Sequence, residues 1–182
     1  MNIILFGPPG CGKGTQAINI CKSLDIQHLS TGDMLREAVA AESDIGIKAK
    51  KIMQTGGLVS DEIVLSIIKE RISLKDCEKG FVLDGFPRTI NQAEGLDKLL
   101  KENKKIKYVI RIKVDEEAIL KRLMERGRSD DKPEIIKNRF KTYNSLTQPL
   151  IPFYEERKVL FNIDGMQEIE KVFTDIKKII GI

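Results

Sequence analysis

The stretch Gly7-Pro8-Pro9-Gly10-Cys11-Gly12-Lys13-Gly14-Thr15 constrains the fold more than any other part of the chain. It follows the apolar run Ile3-Ile4-Leu5-Phe6 and precedes Ala17, Ile18, Cys21 and Leu24 at helical spacing, which predicts a strand, a tight loop and a helix from about Lys13 to Leu24. Glycines at 7, 10, 12 and 14 let the backbone curl with its N–H groups turned inward, so several donors and a helix N-terminus face one anion. A polyphosphate suits that cradle, and Lys13 stands where an ammonium reaches the β and γ phosphates. The common form of such a loop places Ser or Thr directly after the lysine to ligate magnesium. Here that place is Gly14 and the hydroxyl comes at Thr15, so the metal is expected to be held largely through water.

A chain of 182 residues can bury one full core, so one main domain with small accessory lobes is expected. A net charge of +4 suits a polyanionic small ligand but falls short of a nucleic-acid footprint, and 5% aromatics with no Trp offers no platform for stacked bases. Cys11, Cys21 and Cys77 lie too far apart for a paired metal motif and are odd in number, which argues against a disulfide framework and for a reducing cytosol. No apolar stretch approaches the roughly 18 residues of a membrane span, and the N-terminus reads as a strand and not as a signal peptide. A soluble cytoplasmic protein with neither nucleic-acid nor membrane partners is the expectation.

Past an apolar patch at Ile26 to Leu29, Ser30 or Thr31 can cap a helix, and residues 33 to 73 read as successive helices broken near Ser43-Asp44, at Gly56-Gly57 and at Ser60-Asp61. A βαβ crossover needs one helix, so the excess marks an inserted lobe, residues 30–59. A helix from about Asp61 to Leu74 then returns the chain to the sheet. Phe81-Val82-Leu83 reads as a buried parallel strand delivering Asp84 to the edge, followed by a helix from about Asn91 to Leu100. Ile106 to Val114 is strand-like, though Lys107, Arg111 and Lys113 interrupt it. A helix from Glu116 to about Glu125 runs into a charged loop, Arg126 to Lys132, and another runs from about Pro133 to Leu146. Pro149 and Pro152 are expected to break or kink the chain beyond that helix, ahead of a strand at Val159 to Ile163 and an amphipathic helix carrying Ile169, Val172, Phe173, Ile176 and Ile180.

Asp33 and Asp84 fall where acids beside a phosphate cradle can orient magnesium-bound water; Asp33 also reads as a helix cap and Asp84 as a solvated strand end. Arginines 36, 88, 122, 126, 128 and 139 recur near loop ends and helix starts, and the guanidinium fork matches phosphate oxygens, although each also reads as a solvated helix face. The single histidine, His28, reads as structural, and no Ser-His-acid or Cys-His arrangement is available. Transfer of a phosphoryl group to an already ionised phosphate needs no base.

Three segments together, Gly7 to Gln16, Ser30-Thr31-Gly32-Asp33-Met34-Leu35-Arg36 and Asp84-Gly85-Phe86-Pro87-Arg88, resemble the three signatures of adenylate kinases, in order and spacing along the whole chain. The resemblance implies a parallel five-stranded α/β sheet flanked by helices, a helical insertion that binds the nucleoside monophosphate, and exchange of a phosphoryl group between ATP and AMP to give two ADP with magnesium. It implies that Gly10, Cys11, Gly12, Lys13, Gly14, Thr15, Arg126 and Gln167 bind ATP. For AMP it implies Thr31, Arg36, Gly57, Leu58, Val59, Gly85, Phe86, Pro87, Arg88, Gln92, Arg128 and Arg139. Catalytic roles fall to Lys13, Arg88, Arg126, Arg128 and Arg139, and water-mediated contact with magnesium to Asp33 and Asp84. The lid is then only residues 126–132, around a core of residues 1–29, 60–125 and 133–182; the short lid lacks four cysteines, so structural zinc is not expected. A monomer is implied. Gln92 is the expected reader of the acceptor adenine edge. Two alternatives stay open: a kinase preferring UMP or CMP, and a slow nucleotide-hydrolysing switch protein.

Overall fold

Strands β1 (Asn2–Phe6), β2 (Gln27–Ser30), β3 (Phe81–Asp84), β4 (Tyr108–Lys113) and β5 (Leu160–Asp164) lie parallel in one sheet, in the order β2-β3-β1-β4-β5. The computed structural model describes residues 1–101 and 104–182. β1 takes the middle of the sheet because it is apolar on both faces, and all five of its residues are buried. Its Ile4 stands opposite Leu83 on one side and Val109 on the other.

Alternation along β1 splits the core in two. Ile4 and Phe6 join Leu29, Leu83 and Val109 on one face, covered by α4 (Asp61–Ile72), α5 (Ile90–Leu99) and α8 (Leu150–Glu156) through Val64, Ile68, Ala93, Leu96, Leu150 and Tyr154. Ile3 and Leu5 join Val82, Ile110 and Ile163 on the other, covered by α1 (Lys13–Leu24) and α9 (Ile169–Ile180) through Ala17, Ile20, Val172, Ile176 and Ile180. Each fully buried Ile or Leu stabilises the fold by roughly 1.5–3 kcal/mol. Among the described residues no helix is long and apolar enough to cross a membrane.

Two helices, α2 (Thr31–Ala40) and α3 (Asp44–Gln54), pack on each other between β2 and α4. Ser30 caps the first, its Oγ accepting from the Asp33 N–H at 3.2 Å, and Ser43 caps the second through the Gly46 N–H at 3.1 Å. Their backbones meet at Gly46, where a Cβ would lie 1.9 Å from the Ala38 carbonyl oxygen. α6 (Glu116–Arg126) and α7 (Pro133–Thr142) flank the loop 127–132.

The structure departs from the sequence reading in three places. β2 is a true edge strand where only an apolar patch was evident. The helix expected to reach Leu146 ends as α-helix at Thr142 and continues as a π-helical turn, Tyr143–Thr147, in which the Gln148 N–H donates to the Tyr143 carbonyl at 2.9 Å. Of the two prolines only one marks a break: residues 148–149 form a turn between the π-helical turn and α8, with Pro149 just before the helix, whereas Pro152 sits in the first turn of α8, where the missing N–H would have had no intrahelical acceptor. The charged alternation in β4 has a local cause, since Arg111 is half-buried with its guanidinium 3.5 Å from the Asn162 carboxamide oxygen on β5.

Candidate active site

At the C-terminal end of β1 the chain turns through its glycine loop into α1. Gly10 has φ +83, and a Cβ there would strike Leu123 Cγ at 2.7 Å and Ile119 Cγ2 at 2.9 Å, so α6 backs the loop only because this residue has no side chain. Gly12 has φ +97 and open space where a Cβ would be, and it starts α1 with no side-chain cap and no acid in the first turn. The first helical N–H groups are thereby left for an anion. Lys13 Nζ rests against the loop's own carbonyls, 2.8 Å from Gly7 O and 2.7 Å from Pro8 O.

Above the strand ends opens a cleft of about 850 Å³, at the upper end of the roughly 300–1,000 Å³ of small-molecule sites. Residues 10–15 line one wall with Gln167, and Asp33, Arg36, Leu58, Gly85, Phe86, Pro87, Arg88, Arg126, Arg128 and Arg139 complete the rest. Sequence-distant arginines from α2, α6 and α7 and from the loops after β3 and α6 converge there.

Their electrostatics follow from crowding. Burial first, and then the neighbouring Arg139 charge, push the Arg88 guanidinium down to about 10, while Asp84 opposes the shift. Arg139 is also held below its ordinary range, first by burial, with Asp130 opposing and Arg126 adding to it. Arg88 and Arg128 have no ion-pair partner among the described residues. Arg88 keeps its charge at neutral pH, so a polyanion in the cleft relieves repulsion that the protein alone leaves in place.

Two acids of the loop, Asp130 and Asp131, hold Arg126 and Arg139, and no motif marked them in the sequence. Asp131 takes a forked pair of hydrogen bonds from Arg126, 2.8 Å from Nε and 2.6 Å from Nη2, and accepts the Arg128 N–H at 3.1 Å. Arg139 Nη1 lies 3.0 Å from Asp130 Oδ2 and 3.3 Å from Asp131 Oδ1. Burial would raise the Asp131 pKa, but Arg126 and the Arg128 N–H outweigh it and hold the carboxyl below the ordinary range.

Asp84 enters from the end of β3. A Cβ on Gly14 would lie 3.6 Å from its Oδ2, which places the carboxylate beside the phosphate loop. Burial works against its charge, but His28, Lys13 and Arg88 together keep its pKa below the ordinary range. An ionised, half-buried carboxylate beside a phosphate cradle fits a hard cation such as magnesium, directly or through water. Asp33 fits less freely, since it is paired with Arg36 at 2.5 Å. His28, read from the sequence as structural, lines the cleft: its Nε2 lies 3.4 Å from Asp84 Oδ2, off the hydrogen-bond direction, and is otherwise unpartnered among the described residues. No group of three or more His, Cys, Asp or Glu among the described residues is placed to hold a metal ion.

Four of the expected acceptor-site residues stand behind the cleft wall. Thr31 is buried, with its hydroxyl donating to Gly85 O at 2.9 Å, Val59 packs into the core, and Gly57 closes on Ile52. Gln92 is 2% exposed and engaged at both ends of its amide, accepting from the Arg88 N–H at 2.7 Å and donating to Asp61 Oδ1 at 2.8 Å. Its reach toward a base is therefore limited to the second N–H and the second lone pair. Arg122 lines the cleft itself, near Gln167, and donates to Gly165 O at 3.1 Å.

A glycine loop on the first strand of a parallel sheet, with arginines gathered opposite it, defines a nucleotide-dependent phosphotransferase. The model of the adenylate kinase family matches residues 5–159. The chain is 49% identical to the adenylate kinase of Azorhizobium caulinodans over 191 aligned residues, covering 99% of this chain and 98% of that protein. It is 44% identical to that of Archaeoglobus fulgidus over 212 residues, covering 99% and 98%, and 43% identical to that of Magnetococcus marinus over 213 residues, covering all of both. The chain belongs to the adenylate kinase family, whose reaction is transfer of the terminal phosphoryl group of ATP to AMP to give two ADP.

Proposed function

We propose that this transfer takes place in the arginine-lined cleft, with ATP seated over Gly10, Cys11, Gly12, Lys13, Gly14 and Thr15 and AMP facing it from the side of Arg36, Gly85 and Arg88. The observation that carries this reading is the convergence of Lys13, Arg88, Arg128 and Arg139 on one cavity from four separate segments. Lys13, which rests on loop carbonyls in this structure, would exchange them for phosphate oxygens. Arg88, Arg128 and Arg139 would stabilise charge on the transferring group and Arg126 the donor phosphates. An acceptor phosphate is already ionised, so the chain's task is to position, to neutralise charge and to exclude water. Asp84, with Asp33, would hold the water shell of magnesium bound with ATP, which would supply charge neutralisation at the phosphates. Gln167, on the cleft wall, would offer its backbone to the donor base.

Residues 30–59 and 126–132 act as two covers over a core of residues 1–29, 60–125 and 133–182. Their closure brings separated arginines together only when both nucleotides are present and keeps water from the γ phosphate. The alignment to the A. fulgidus protein has 212 positions against 182 residues here, so at least 30 have no counterpart in this chain, in keeping with a short lid. We place the enzyme in the cytoplasm as a monomer acting on ATP, AMP and ADP, with no structural zinc; its three cysteines are unpaired. The test is a coupled ADP assay with ATP, magnesium and a panel of monophosphates. AMP should exceed UMP and CMP by at least roughly tenfold in kcat/KM; preference for a pyrimidine, or no ADP from ATP and AMP, overturns the assignment.

A further inference from the structure

Arg88 is held by its main chain as well as its side chain, and one of the holding residues lies outside every motif. Its N–H donates to Gln92 Oε1 at 2.7 Å and its Nε to Gly85 O at 2.7 Å. Its carbonyl accepts from the Thr147 hydroxyl at 3.0 Å, and Thr147 is 5% exposed. Thr147 is the last residue of the π-helical turn Tyr143–Thr147, which continues the helix that carries Arg139. The same helix touches the end of the 30–59 segment, where Thr142 Oγ1 donates to Gly56 O at 3.4 Å and Asn138 Nδ2 to Thr55 O at 3.3 Å.

A π-turn holds one residue more than an α-turn and is less favourable, so it persists where the extra residue meets a need. Here the wider turn changes the helical phase between Arg139 and Thr147, so that one side chain enters the arginine cluster while the other reaches the 88 peptide. We propose that Thr147 is a positioning residue for phosphoryl transfer: its hydroxyl fixes the Arg88 peptide and, through the π-turn, sets the spacing of Arg88 and Arg139. The proposal rests on the role given above to Arg88, and it identifies what holds that arginine.

The test compares Thr147→Val, which keeps the shape and removes the hydroxyl, with Thr147→Ser, which keeps the hydroxyl. AMP and ATP affinities are measured separately by calorimetry, beside kcat and Tm. Thr147→Val should lower kcat roughly tenfold, as small misplacements of a catalytic group do, and weaken AMP at least about fivefold with ATP affinity unchanged. Thr147→Ser should restore both to within about twofold. In an Arg88→Ala background the valine change should add nothing further. Parent-like kcat and AMP affinity in Thr147→Val, or equal weakening of ATP and AMP, overturns the proposal. So does failure of both Thr147→Val and Thr147→Ala to fold, since the hydroxyl then serves stability. Parent-like activity of Arg88→Ala alone would instead remove the reading of Arg88, which keeps the two failures distinct.

Discussion

Lys13 and Asp131 show opposite uses of charge at the scale of single residues. Among the described residues Lys13 Nζ hydrogen-bonds to loop carbonyls and the Cys11 sulfur, contacts a phosphate can replace, so its proposed part lies in the reaction more than in the fold. Lys13→Met is expected to reduce kcat by roughly 10²–10³-fold with Tm nearly unchanged, checked by steady-state kinetics and calorimetry. Asp131 has its side chain 1% exposed and binds Arg126, Arg139 and a backbone N–H, so removing its charge leaves buried donors unpaired. Asp131→Asn should cost about 2 kcal/mol, below the full value of a buried pair because Arg126 is partly open to solvent. The sign with pH comes from its depressed pKa: the unfolded carboxyl binds protons first, so the contribution is complete above about pH 4 and is lost as pH falls through the lower folded value. Denaturant titrations between about pH 6 and 3 should show a shallower acid limb in the variant than in the parent.

Among the elements, the α2–α3 pair depends on one close approach. Gly46 has no room for a methyl group, because the obstacle is the Ala38 backbone and not a side chain that can swing away. Gly46→Ala should destabilise by about 2 kcal/mol, lowering Tm by roughly 4–8 °C, and should raise KM for AMP more than KM for ATP. Equal changes in the two constants would show that the pair does not serve the acceptor side. Helix α8 shows where reading by residue type stops short: of two prolines three apart, Pro149 does fall at a break, yet Pro152 lies in the first turn of the next helix, which needs no N–H. The π-turn has no local signature either, since its register is set by contacts that Thr147 and Tyr143 make with other elements.

Across the whole molecule, the proposed closure would be driven by ligand charge meeting the arginine cluster. With both covers closed over ligand, opening should limit turnover, so a pre-steady-state burst of ADP is expected; a single linear phase would show chemistry to be slower. A bisubstrate mimic joining two adenosines through phosphates should bind both walls at once. At 1,000 times its Kd it should add about 4 kcal/mol and raise Tm by roughly 8–16 °C, and at equal ligand concentration it should raise Tm more than ATP or AMP alone, because a ligand held by both walls binds more tightly.

The strand–loop–helix unit, the buried strand ending in Asp84 and the helix bounds of α1 and α9 were readable from residue order because each rests on interactions within a few positions: glycine torsions, apolar runs, helical spacing. The glycine loop was readable for the same reason, whereas the gathering of the arginines in one cleft came only with the fold. The partnering of Asp131 with Arg126 and Arg139, the inward engagement of Gln92, His28 beside Asp84 and the hold of Thr147 on Arg88 were decided only when segments far apart in the chain came together. A buried polar group takes whichever partner the packed fold places within reach, and that choice depends on three-dimensional closure that no local pattern encodes.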